Sequence, residues 1–144
     1  MRTTSHNPMP KNPKTGVVYN TIRDYRGNLI SYDTVEEMDD YPYDKIKIHH
    51  ELVYDDNDNK IKYIDSTGTF SYYYYNEGNL VFFVNGNTVN GIYTEHYCDN
   101  NGNEIYTDRV TIDGYVKRTY ITNNNRTETF RIPFIRLYTN ELVQ

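Results

Sequence analysis

The chain has 144 residues, a formal net charge of −5 and a hydrophobic share of only 37%, with Tyr at 17 positions and no Trp. That length gives one domain, able to bury roughly two-thirds of its unfolded surface. The acidic balance argues against a nucleic-acid partner, which would select a basic stripe, and no apolar run approaches the roughly 20 residues of a membrane helix.

Alanine, the best helix former, is absent, whereas the strand formers Tyr, Thr and Val recur throughout. The expected class is therefore all-β. A core built on Tyr is amphipathic, because each ring needs a wet or hydrogen-bonded hydroxyl, and this suits a thin sheet. The N-terminus has no hydrophobic signal core, which leaves a virion or a host cytoplasm as the expected location. Cys98 is the only cysteine, so no intrachain disulfide forms, and it reads as a bystander thiol without basic neighbours.

Residues 1–16 carry Pro8, Pro10 and Pro13 with the basic Arg2, Lys11 and Lys14. They are expected to form an extended arm outside a single β-repeat domain over 17–144. Their prolines remove backbone donors and their apolar surface is too small to offset the ordering entropy. A neighbouring acidic surface would then hold the arm through Arg2, Lys11 and Lys14. Residues 17–23 and 29–32 flank Arg26-Gly27-Asn28 and predict a first hairpin. Thr34-Val-Glu-Glu37 has capping-box spacing, which predicts one short helix over 34–40, stopped by Pro42. Residues 46–54 then alternate as a strand.

Beyond this point the chain repeats. Gly68, Gly91 and Gly114 lie 23 residues apart and open the phrases Gly68-Thr-Phe-Ser-Tyr-Tyr-Tyr, Gly91-Ile-Tyr-Thr-Glu-His-Tyr and Gly114-Tyr-Val-Lys-Arg-Thr-Tyr. A fixed period of that size marks stacked supersecondary units, here β-hairpins. Turns are expected at 56–59, 65–68, 76–79, Asn85-Gly86, 99–103, Asp113-Gly114 and 123–125, because Asn-Gly and Asp-Gly favour left-handed backbone. The strands should pair in sequence as an antiparallel meander from about 45 to 132. Alternation puts Phe70, Tyr74, Tyr93, Tyr97, Val116 and Tyr120 on one face. Glu95 and Arg118 interrupt that face at the same offset and are expected to meet. Residues 72–75 and 80–84 are apolar on both faces, so either the N-terminal segment or a partner should cover them.

With these residues in hand, the repeat resembles the second type of MORN repeat, through residues 68–80 continued by Asn85-Gly-Asn-Thr-Val-Asn-Gly91-Ile-Tyr. It is also similar to the YD repeats of large toxin shells, through Asp65-x-x-Gly68 and Tyr75-Asn76-x-Gly78-Asn79-Leu80. The resemblance covers residues 55 to about 127. It departs in having three units, no tryptophan and no Asn-Gly turn in the third unit. It implies a hairpin-repeat sheet used for protein contacts or scaffolding.

Templates for chemistry fail. His49 and His50 point to opposite faces of a strand and lack helical zinc spacing. His96 and Cys98 lack further ligands. Residues 55–59 and 99–103 mimic the start of a calcium loop but lack its sixth-position glycine and twelfth-position glutamate, so they read as turns. No enzyme, cofactor, metal or small-molecule substrate is expected. Interaction chemistry is better represented, with Tyr73, Tyr75, Phe83 and Tyr115 as contact residues off the repeat face. Two readings remain. One is a non-enzymatic structural component of a homo- or hetero-oligomeric assembly, suited to a bacteriophage virion by its Ala-free, Asn- and Tyr-rich composition. The other is a small cytoplasmic inhibitor or immunity-type protein that binds a partner enzyme through its sheet.

Overall fold

The structure, a computed structural model, describes residues 6–38, 41–121 and 126–132. Among them are ten strands and no helix. The strands are β1 (Tyr19–Arg23), β2 (Leu29–Met38), β3 (Tyr41–Tyr54), β4 (Lys60–Asp65), β5 (Thr69–Asn76), β6 (Asn79–Asn87), β7 (Tyr93–Cys98), β8 (Glu104–Val110), β9 (Tyr115–Tyr120) and β10 (Thr127–Arg131). The fold is all-β, an antiparallel meander in which β1 to β4 pair in chain order, as do β5 to β10. Contacts divide the chain after Thr67 into two compact units, with β1–β4 in the first and β5–β10 in the second.

In the first unit, residues 6–16 run as an irregular segment with bends at 7 and 11–12 and a turn at 15–16, and their own unit holds them. His6 and Thr21 exchange backbone hydrogen bonds, each 2.9 Å, and Asn20 N donates to Asn7 O. Asn20 has a left-handed backbone, with φ of 53°, at a bulge in β1. Its side-chain oxygen accepts from Met9 N, and Tyr19 Oη accepts from Lys14 N. The segment is thus held by polar groups on its backbone, a contribution that counting its apolar surface leaves out.

The expected helix at 34–40 is corrected. Residues 34–38 continue β2, where Thr34, Val35 and Glu36 pair with Ile48, Lys47 and Ile46 of β3. Val35 is buried at 3% exposure. A helix cap contributes about 1 kcal/mol, and an isolated short helix is marginal in water. A run of ladder pairs with a buried Val outweighs both.

One five-residue loop recurs at 24–28, 55–59 and 99–103. Its first residue, Asp24, Asp55 or Asp99, accepts from the backbone N–H two and four residues on. Its fourth residue, Gly27, Asp58 or Gly102, has positive φ, and Asn28, Asn59 or Asn103 closes the loop on the aspartate. The N–H of Asn59 and of Asn103 holds Asp55 and Asp99 below the usual carboxylate range. These carboxylates work as turn acceptors.

In the second unit the 23-residue period is the hairpin period: β5–β6, β7–β8 and β9–β10. Gly68, Gly91 and Gly114 all have positive φ (93°, 70° and 87°), which lets each strand be entered by a tight turn. The register aligns three rows on one face, called here the repeat face. The first is Phe70, Gly86, Tyr93, Val110, Val116 and Phe130; the second Tyr72, Val84, Glu95, Asp108, Arg118 and Glu128; the third Tyr74, Phe82, Tyr97, Tyr106 and Tyr120. The expected shared face of Phe70, Tyr74, Tyr93, Tyr97, Val116 and Tyr120 is therefore observed. Phe70, Val84, Tyr93, Val110 and Val116 are its buried core, each contributing about 1.5–3 kcal/mol by removal from water.

Two details are corrected. Asn85-Gly86 is no turn; it lies inside β6, and the chain reverses at 88–91. A Cβ on Gly86 would stand 2.6 Å from Tyr93 Cβ and 2.9 Å from Phe70 Cζ, so glycine is there to seat aromatic neighbours. Glu95 and Arg118 lie two strands apart with Asp108 between them. Arg118 donates to Asp108 through Nε and Nη2, at 2.8 and 2.9 Å.

Candidate functional site

The face opposite the repeat face also carries aligned rows. Tyr73, Phe83, His96, Thr107, Thr119 and Thr127 form one; Ser71, Asn85, Thr94, Arg109, Lys117 and Thr129 form the next. Tyr73 stacks on Phe83 with ring centroids 6.0 Å apart, and Phe83 stacks on His96 at 4.0 Å with planes 5° from parallel. His96 Nδ1 is 2.5 Å from Glu104 Oε1, which fixes the imidazole plane. All three rings are half-buried, so they form a shelf bordered by Thr hydroxyls, Arg109 and Lys117.

The expected contact residues are only partly brought together. Tyr73 and Phe83 are stacked partners in the shelf. Tyr75 pairs with Leu80 beyond a bulge in the β5–β6 ladder, and Tyr115 is 45% exposed at the glycine end of β9, under the Arg131 guanidinium at 5.0 Å. Lys11 and Lys14 are exposed on the arm of the first unit. Lys11 lines a cleft of about 650 Å³ with Met9, Pro13, Val35, Glu37, Lys45 and Lys47, among others. Arg2 lies outside the described residues.

His96 escaped the reading of the sequence as a shelf residue, although a signal was present. It stands five positions after Gly91, as Tyr73 stands five after Gly68, and equal offsets share a row. Lys45 and Lys47 were also missed, because their meeting with Lys11 depends on where the arm lies.

His49 and His50 do take opposite faces. His49 Nδ1 is 2.6 Å from Asp33 Oδ1, and its Nε2 is 3.0 Å from Glu51 Oε1. Burial works to lower its pKa, but the hydrogen bonds to the two carboxylates prevail and raise it. Asp33 is shifted the other way: burial opposes, but bonds from Asn20 and His49 hold it low. His50 is stacked on Tyr32, with ring centroids 4.3 Å apart. It lies 2.8 Å from Thr34 Oγ1 and 2.6 Å from Tyr63 Oη, which in turn donates to Asp65. Burial lowers its pKa, so this imidazole is held neutral. These bonds lock the β2–β4 ladder on both faces.

Among the described residues no group of three His, Cys, Asp or Glu side chains is arranged to hold a metal ion, and no helix is long and apolar enough to cross a membrane. Burial pushes the Cys98 thiol up, helped by Glu104 and Asp99, which disfavours the reactive thiolate. No family model matches the chain, and neither a curated protein nor a solved structure matches it.

Proposed function

We propose that this protein is a non-enzymatic interaction component of a larger assembly, of the kind found in a bacteriophage virion, and that it docks a protein partner on the Tyr73–Phe83–His96 shelf. The observation that carries the reading is the division of labour between the two faces of β5–β9. The repeat face supplies the buried core. The opposite face displays stacked, half-buried rings beside Thr, Arg and Lys, the aromatic-and-polar composition of binding hot spots. Rings pinned by stacking and by Glu104 lose little freedom on binding. The resemblance to MORN and YD repeats, which serve contacts and scaffolding, supports the same direction.

A second reading, an inhibitor of one partner enzyme, is favoured by the exposed loop tip at 56–58, with Asp56 and Asp58, on a chain of net charge −5. The two differ in the size of the native complex, which is one-to-one for an inhibitor and a large oligomer for an assembly component.

The test is the double variant Tyr73→Thr with Phe83→Thr, which continues the Thr row already present at 107, 119 and 127. Size-exclusion chromatography of extracts from the native source should show wild type in a complex and the variant running free, with its β-sheet circular dichroism retained. A folded variant that stays in the complex refutes docking on the shelf.

A further inference from the structure

We propose that the cleft between the N-terminal arm and the β2–β3 ladder binds an extended acidic peptide segment of a protein partner. The proposal rests on the interaction reading above but uses a different surface and a separate readout.

The cleft has a volume of about 650 Å³, and among the described residues it gathers Lys11, Lys45 and Lys47 around Glu37, with Asp33 3.7 Å from Lys47. Three cations against these two carboxylates make the described lining basic on a chain whose net charge is −5. That reversal of sign selects an acidic visitor. Met9 and Pro13 of the arm, both half-buried, supply an apolar wall, so the lining suits aliphatic and carboxylate side chains together. Lys45 Nζ donates to Pro13 O at 2.7 Å and fixes the arm as the opposite wall.

The spacing favours a peptide over a free anion. Lys45 and Lys47 are alternate residues of one strand, opposite Glu37 and Val35 of β2, so both stand on the same face about 7 Å apart. Alternate residues of an extended peptide repeat at that distance. A Glu-Val-Glu run laid along β3 sets one carboxylate over each lysine while Val, on the other side of the peptide, turns to Met9 and Pro13 of the arm. Lys47 is 59% exposed at the side chain and lies 3.7 Å from Asp33, which keeps Asn20 and His49 as partners when Lys47 is drawn away. The cleft is therefore loaded without leaving a buried carboxylate unpaired.

The probe is a fluorescein-labelled peptide Val-Glu-Val-Glu-Val-Glu, measured with the full chain by fluorescence anisotropy. Saturable binding at low salt should weaken at high salt. Lys11→Met and Lys47→Gln should each weaken it by about tenfold, whereas Lys60→Met, at the start of β4 and outside both the cleft lining and the shelf, leaves it unchanged. The isomer Glu-Glu-Glu-Val-Val-Val should bind more weakly. Thermal melts establish that each variant is folded, and Lys11→Gln provides a milder second substitution. Failure to bind the probe, equal binding of the two isomers, equal loss with Lys60→Met, or displacement by inorganic phosphate at the same concentration as by unlabelled peptide overturns the proposal. Tyr73→Thr with Phe83→Thr should leave probe binding intact, so loss of the shelf and loss of the cleft are told apart.

Discussion

His49 and His50 are neighbours in sequence with opposite electrostatic fates. His49 sits between Asp33 and Glu51, and its pKa is raised above 6.5. The stability it contributes is fully present below about pH 6.5 and is lost as pH rises through its higher folded value. The pKa of His50 is depressed below 6.5, so folding holds it neutral and stability falls as acidification forces a proton onto it. NMR titration of the imidazole Cε1–H signals should show His49 titrating above 6.5 and His50 below. The reverse order, or coincident titrations, would mean that the two side chains do not occupy the opposite faces described. This opposition was legible from strand alternation alone. The partners were not, because Asp33 and Glu51 reach His49 only once the register of β2 against β3 is set.

At the scale of elements, turns and register decide. Glu77 and Gly78 both have positive φ, 52° and 83°, in the two-residue reversal between β5 and β6. Glutamate is an unfavourable occupant of a left-handed position, where Asn is at ease. Glu77→Asn should stabilise the chain by about 1 kcal/mol in urea titration. Gly86 behaves oppositely. Its site within β6 is filled by the Phe70 ring, Tyr93 Cβ and the Ile92 carbonyl, so Gly86→Ala should destabilise by about 3 kcal/mol. If Asn85-Gly86 were the reversal, the same substitution would disturb a turn and leave the contacts between Phe70 and Tyr93 untouched. The sequence announced the hairpins through their glycines and aspartates, and these held at Gly68, Gly91 and Gly114. It misled at Asn85-Gly86 because the dipeptide has the same letters whether glycine supplies a turn or a gap. The capping box at 34–37 misled likewise, since a local preference of about 1 kcal/mol yields to strand pairing with β3.

For the whole molecule, the period of 23 residues and the division at Thr67 describe one fact: the three hairpins opened by Gly68, Gly91 and Gly114 make a unit of their own. Within it one face carries the buried core and the other the stacked rings of Tyr73, Phe83 and His96. The alternating offsets made this division readable, and equal offsets from the glycines contained even the His96 position. The place of the arm was not readable, because its hold on β1 comes from backbone groups and from the left-handed Asn20. The most direct test of the central claim is site-specific photo-crosslinking in the native source. Benzoylphenylalanine placed at Phe83, on the shelf, should yield one discrete protein adduct, and the same group at Val89, an 82% exposed turn residue, should yield none. An adduct from position 89 without one from position 83, or no adduct from either, would contradict docking on the shelf.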